Sequence, residues 1–385
     1  MKVFLRAPRR WVSLLASKLG CESIFENKQM FQKNRSMARN LIQKIFNVWK
    51  GSSLPPLEWF IQYDRLYKVG RHIELIVEPG SKIINTKKDY LIYVENSLGL
   101  FGYNTRKINS FNIFIFRKIL SKSNFKGFVF YSETARSSTR ELFKKINLTY
   151  LFENNDLGII YPITPDVNVS EQANVKRDKF KLLFCSSSFN LKGGRELVEA
   201  INKSKFKKII KLILITNLDD SNRSFVNNND FCEYIKFDLT EQEYIDLCLK
   251  ADLMIIHPTF FDTHALSLLE GIKCGKPAIA TNTFALKEYI EDSKTGRLIE
   301  NPYEPYDKNG CANFYGVALK HALSISKLPI NKEFSNKLAN EIDEIIENYD
   351  SYLYNCKNSE SMFQRFSERE IIFQWNKLFD GLREK

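Results

Sequence analysis

The run from Leu253 to Thr281 constrains the fold of this chain more than any other, because it reads strand, loop, helix, turn and strand with almost no slack. Leu253-Met-Ile-Ile256 is short and unbroken in its apolarity, as a parallel strand covered on both faces requires, and Pro258 ends it. In the helix expected next, Ala265, Leu268, Leu269 and Ile272 recur at i, i+3, i+4 and i+7 as a core-facing stripe. Leu266 and Glu270 fall on another flank, so Glu270 is expected to look away from the core, while Asp262, Thr263 or both can cap the helix. Gly275 stops the helix, Lys276-Pro277 turns the chain, and Ala278-Ile-Ala280 makes the next strand. Thr281-Asn-Thr-Phe284 then lies at that strand's carboxyl end, the side on which open α/β sheets bind ligands. On local pattern alone, Asp262 and Glu270 are an N-cap and a solvated helix residue, or else the acidic pair of a ligand site.

A second strand-loop-helix unit precedes it. Lys181-Leu-Leu-Phe184 reads as the strand, Cys185-Ser-Ser-Ser-Phe-Asn190 as the loop, and Leu191-Lys-Gly-Gly-Arg-Glu-Leu-Val-Glu-Ala-Ile201 as a helix opening. Lys192 is placed where a side-chain cation and free backbone donors can converge on phosphate.

Together these segments resemble the retaining glycosyltransferases called the glycosyl transferases group 1, or family 4. That family's donor-binding signature is Glu, seven residues, Glu, then Gly or Ala, Gly-x-Pro and a further Glu. Here it reads Asp262, seven residues, Glu270, Gly271, Gly275-Lys-Pro277, Glu288 and the turn Lys294-Thr-Gly296. The resemblance implies a GT-B fold, two Rossmann-like α/β domains facing across a cleft, and a nucleotide diphosphate sugar as donor substrate with no separate cofactor. It gives Glu270 the ribose hydroxyls and Asp262 the donor sugar. Lys192 and the amides near Leu266 and Ser267 receive the diphosphate, with Thr263 beside them. Two departures matter: Asp262 is one methylene shorter than the family's Glu, and Ser187 stands five residues before Lys192 where relatives carry an Arg. Diphosphate affinity would then rest more on Lys192, backbone amides and Arg195.

A length of 385 residues exceeds one ordinary domain, and 44% hydrophobic residues suffice for substantial cores. Residues 1–168 are expected to form the acceptor-side domain, 169–360 the donor-binding domain, and 361–385 a tail that in the family crosses back to the first domain. The linker falls near Pro165–Gln172. Strands in the first domain are expected at Met1–Leu5, Ile73–Val77, Tyr90–Val94, Gly127–Tyr131 and Gly158–Tyr161. Many relatives have a Gly-rich loop after the first strand, whereas Ala7-Pro-Arg-Arg-Trp11 has no glycine, which points to a different acceptor surface. Glu95, at a strand's carboxyl edge before the flexible loop ending at Asn104, is a candidate catalytic or acceptor-orienting carboxylate, or else a cap or surface charge. Ser132 and Glu133 are weaker candidates of the same kind.

Lys and Arg number 57 against 45 Asp and Glu, a formal net charge of +12 that can attract nucleic acid, anionic lipid or a phosphorylated substrate. Lys33–Lys50 interleaves Arg35, Arg39, Lys44 and Lys50 with Met37, Leu41, Ile42, Ile45, Phe46 and Trp49. This basic amphipathic segment suits a membrane interface or an ordinary core-facing helix with a solvated side. No nucleic-acid recognition motif accompanies the charge, so nucleic acid is not an expected partner, although a basic nucleic-acid-binding protein and a catalytically silent sugar-binding protein are the rival readings. The N-terminus lacks a signal-peptide core and no apolar run approaches a membrane span, so the expected place is the cytoplasm, with contact at the inner face of the cytoplasmic membrane. Seven scattered cysteines form no Cys-x-x-Cys pair. Asp219-Asp220 lacks the Asp-x-Asp spacing of metal-bridged glycosyltransferases, so no divalent ion is expected to be required. Within that family reading, the acceptor is a glycan or lipid-linked glycan.

Overall fold

The computed structural model describes residues 1–7, 9–25, 48–167, 179–250 and 253–384. Most of Lys33–Lys50 and the end of the expected linker lie outside them. The chain divides into two compact units: residues 1–163, 306–321 and 366–385 form the first, and residues 164–305 and 322–365 the second. The excursion of residues 306–321 into the first unit corrects the continuous second domain read from the sequence.

The first unit is built on a six-stranded sheet, β1 (Val3–Ala7), β2 (Glu22–Phe25), β3 (Leu75–Glu78), β4 (Asp89–Val94), β5 (Phe125–Phe130) and β6 (Asp156–Ile159). Its order is β2-β1-β3-β4-β5-β6 and every pairing is parallel. β3 and β4 run almost wholly apolar because helices cover both faces, which leaves Ile76, Val77, Leu91, Ile92 and Tyr93 fully buried. The tail breaks into two helices, Glu360–Arg365 and Glu368–Arg383, with Ser367 capping the second by accepting from the Glu370 amide at 3.2 Å. Trp375 on that second helix is fully buried and meets Tyr93 edge-on, ring centroids 5.0 Å apart.

The second unit carries β7 (Phe180–Ser186), β8 (Ile210–Thr216), β9 (Cys232–Lys236), β10 (Leu253–His257), β11 (Ala278–Thr281) and β12 (Gly296–Ile299), ordered β12-β11-β10-β7-β8-β9 and again all parallel. Within this unit the order reads 3-2-1-4-5-6 by chain position, the doubly wound arrangement whose winding reverses between β7 and β10. That reversal opens a crevice outside the carboxyl ends of those two strands. The loops after β7 and β10 are the ones that carry Lys192 and Asp262. The Gly194–Lys203 and Lys332–Glu347 helices share one core with the sheet, built from Phe184, Leu197, Leu214, Ile256, Leu338 and Ile342 among others.

Candidate active site

Two helices begin at the β7/β10 edge, and neither has a side-chain cap. The first, Gly194–Lys203, is entered through Gly193, whose φ of +71° is left-handed and whose added Cβ would lie 2.2 Å from the Pro258 carbonyl oxygen. Gly193 thereby lets the loop after β7 press against the loop after β10. The second helix, Leu266–Lys273, starts at Ala265 with no side-chain hydrogen bond to its first turn. Expected capping by Asp262 or Thr263 is therefore corrected: three more residues of extended chain separate Asp262 from the helix, and its Oδ1 accepts instead from the neighbouring Thr263 amide at 2.9 Å. Gly271 lets this helix lie directly on β10, since a Cβ there would sit 2.6 Å from Ile255 Cγ1. The Gly194 amide is taken by the Phe189 carbonyl at 2.8 Å and the Leu268 amide by the Ala265 carbonyl at 3.1 Å, so at the second helix the amides offered to a ligand are those of Leu266 and Ser267.

Lys192 and Asp262 meet in this edge as a direct ion pair, each side chain mostly buried, and the Lys192 ammonium also donates to the Phe261 carbonyl at 2.8 Å. His257, at the last position of β10, lies with Nε2 3.4 Å from Asp262 Oδ2. Burial pushes the Asp262 carboxyl up, but the adjacent Lys192 charge and the His257 contact reverse that and hold it well below the usual carboxylate range. Burial depresses the His257 pKa, Asp262 works against that shift, and Lys192 adds to it. The site thus keeps a fixed carboxylate against a fixed ammonium.

Glu270 is not the solvated helix residue of the plainer alternative. It is half-buried beside Cys185, Tyr244 and Glu241, and burial first, then the Glu241 charge, push its pKa up to about 8 against the opposing Lys273. A carboxyl so placed lies where hydrogen-bond donors from a ligand would stabilise its charged form. Ser267 donates its hydroxyl to the Cys185 carbonyl at 3.2 Å and its own carbonyl accepts from Tyr244 at 2.6 Å, tying the helix start to the end of β7. Ser187 is exposed, and its carbonyl accepts from Asn217 at 3.3 Å. Arg195 lies over the Phe225 ring, 5.9 Å from its centroid. Glu288 ends a 3-10 turn and pairs with Arg365 at 3.7 Å.

The first unit places Glu95 at the carboxyl end of β4, nearly buried, where Arg9 grips both its oxygens at 3.1 and 3.3 Å and its amide donates to Ser81 Oγ at 2.7 Å. Its carboxylate is an anchored charge. Ser132 is a helix cap, the second of the alternatives read for it, since its hydroxyl accepts from the Ala135 amide at 3.0 Å, and Glu133 is an exposed first-turn residue behind it. Asp219 likewise caps the Asp220–Asn227 helix. Among the described residues no group of three or more His, Cys, Asp or Glu is arranged to hold a metal ion.

Two groups escaped the sequence reading. His257 gave a faint signal, a polar residue ending an apolar strand five positions before Asp262. The other is a fully buried cluster in which Glu78 takes Arg6, the Tyr63 hydroxyl at 2.9 Å and the Gly80 amide at 3.0 Å. Its signal was Arg6 inside the apolar strand Val3–Ala7.

Residues 167–307 match the family described as Glycosyl transferases group 1. A D-inositol 3-phosphate glycosyltransferase of Paenarthrobacter aurescens (strain TC1) is 25% identical over 142 residues, covering 34% of each chain, so the match spans about a third of that relative's length. HepE of Anabaena, solved in complex with UDP-glucose, superposes with a TM-score of 0.59 at 13% identity over 100% of both chains. WaaG, a glycosyltransferase involved in lipopolysaccharide biosynthesis, gives a TM-score of 0.57 at 12% identity over 98% of both chains. With two all-parallel six-stranded α/β units, the fold is GT-B.

Proposed function

We propose that this chain, whose residues 167–307 match the glycosyl transferases group 1 family, moves a sugar from a nucleotide diphosphate sugar to a hydroxyl of a surface or lipid-linked glycan, with retention at the anomeric carbon. The observation that carries the reading is the Lys192–Asp262 pair set between two helix N-termini without side-chain caps at the winding reversal, with Glu270 on the second of those helices. Diphosphate needs positive charge and backbone donors, and that edge supplies both. A donor arriving there would share the Lys192 ammonium with Asp262, while the Thr263 amide and His257 keep the carboxylate aimed at the sugar. Glu270 would accept from the ribose hydroxyls. UDP sugars are the first donors to try, because HepE binds UDP-glucose on the same fold.

As the glycosidic bond to phosphate lengthens, charge grows on the departing diphosphate, and Lys192 with the amides of Leu266 and Ser267 stabilises it without a divalent ion. The acceptor hydroxyl gives its proton to the departing phosphate oxygen. Glu95, engaged by Arg9 through both oxygens, orients the acceptor rather than taking that proton. The WaaG likeness supports a surface glycan as acceptor. A donor and acceptor screen followed by NMR of the product linkage tests this reading, since an inverted anomer would reject retention. Turnover that stays at the wild-type level in Glu95→Gln would reject a required role for Glu95.

A further inference from the structure

We infer that one surface of the first unit docks on an anionic lipid bilayer through exposed phenylalanines framed by lysines and arginines. The helix Ser110–Leu120 turns Asn112, Phe116 and Leu120 inward, yet leaves Phe111 63% and Phe114 55% exposed on its other side. A large aromatic side chain in water forgoes the burial that normally places it inside, and two of them one turn apart on a single helix form a ridge. Around them, Asn109 and Asn112 bind the Ser53 carbonyl, which brings exposed Leu54 alongside. Arg106 lies 5.1 Å from the ring centroid of Tyr315, itself 78% exposed.

Basic residues outnumber acidic ones around this ridge, with Glu58 near Lys107 and Asp89 on Lys126 as the carboxylates that other segments bring. Between Glu95 and Glu133 the chain has no carboxylate side chain, while it carries Arg106, Lys107, Arg117, Lys118, Lys122 and Lys126. Lys107 is buried and Lys126 pairs with Asp89, but Arg106, Arg117, Lys118 and Lys122 are exposed, with Lys118 Nζ 4.3 Å from the Phe114 ring centroid. Aromatic side chains entering the headgroup boundary beside flexible cationic stems is the chemistry of interfacial attachment to anionic lipid. No helix among the described residues is long and apolar enough to cross a membrane. The described end of the basic segment adjoins this surface, the Lys50 carbonyl accepting from Asn104 at 2.8 Å and the Trp49 carbonyl from Lys107 at 3.1 Å, and the inference does not depend on what the second unit transfers.

Flotation of the purified chain with vesicles of phosphatidylcholine alone, or of phosphatidylcholine with phosphatidylglycerol, tests the inference. Wild type should float only with the anionic vesicles, and raised salt should weaken that binding without abolishing it. Phe111→Ser with Phe114→Ser, and separately Lys118→Glu with Lys122→Glu, should each lower partitioning by about tenfold or more. All four side chains are exposed, so circular dichroism should show unchanged folding. Failure of wild type to bind anionic vesicles would overturn the inference, as would unaltered binding by both double variants. Two further results would overturn it in favour of other occupants: a homodimer dissolved by the phenylalanine variant, or duplex DNA bound through the same lysines more tightly than vesicles.

Discussion

Replacing Lys192 with Met removes the ammonium but keeps much of the apolar stem, and it leaves Asp262 in place without its partner. Breaking a buried ion pair from one side costs roughly 3–5 kcal/mol where nothing compensates. Asp262 retains the Thr263 amide and His257, and its side chain is 17% exposed, so the loss should be about 2–3 kcal/mol near neutral pH. In the wild type Asp262 titrates below its unfolded value, so its contribution is present above that value and is lost only as pH falls through the lower folded one. It is therefore flat across the mildly acid range. Without Lys192, burial dominates and the Asp262 pKa rises, so the folded variant takes up a proton that the unfolded chain does not. The deficit should shrink by about 1.4 kcal/mol for each pH unit below that raised pKa, down to about pH 4. Loss of the Lys192 charge also lets His257 charge more readily beside Asp262, which acts in the same direction. Urea unfolding of wild type and Lys192→Met, compared at about pH 7 and about pH 4.5, reads the difference. An equal loss of stability at both pH values would refute the reasoning.

Glu270, its pKa pushed up to about 8, is largely protonated in the free protein near neutral pH, and donor hydroxyls would draw it to the carboxylate. Nucleotide binding should therefore release close to one proton, seen as a dependence of the calorimetric heat on buffer ionisation enthalpy; no dependence would count against the ribose role. A raised folded pKa also means that stability present below about 4.5 is lost as pH rises through about 8, so Glu270→Gln should be more stable than wild type at the alkaline end of thermal melts. Gly193→Ala combines a left-handed φ with a clash against the Pro258 carbonyl and should cost about 2 kcal/mol or more, with weaker donor binding as Lys192 shifts. An unchanged melting temperature would show that the loop tolerates the side chain.

The run from Leu253 to Thr281 was legible because each step had its own local cause: an apolar strand, Pro258, a stripe of period 3.6, then Gly275. Strand order was not legible, because pairing β7 with β10 joins residues some seventy positions apart and no local pattern encodes it. The same distance hid the Arg6–Glu78 pair. The helix pattern turned Glu270 from the stripe, but its raised pKa was not legible, because the charge of Glu241 that acts on it comes from another element. β2 was missed because Glu22-Ser-Ile-Phe25 is a short edge strand. The Glu95 position was readable from its strand end, but the Arg9 that anchors it was only a basic residue in a glycine-free loop.

The account rests on a nucleotide sugar being held at the β7/β10 edge by Lys192, Asp262 and Glu270. Calorimetric titration of the folded chain with UDP, GDP, ADP and CMP sugars, alongside Lys192→Met, tests that claim most directly. One donor class should bind, and the variant should weaken it by about tenfold to a hundredfold, the size expected for a lost charge-assisted contact to phosphate. Absence of binding to every donor by folded wild type, or wild-type affinity in Lys192→Met, would contradict it.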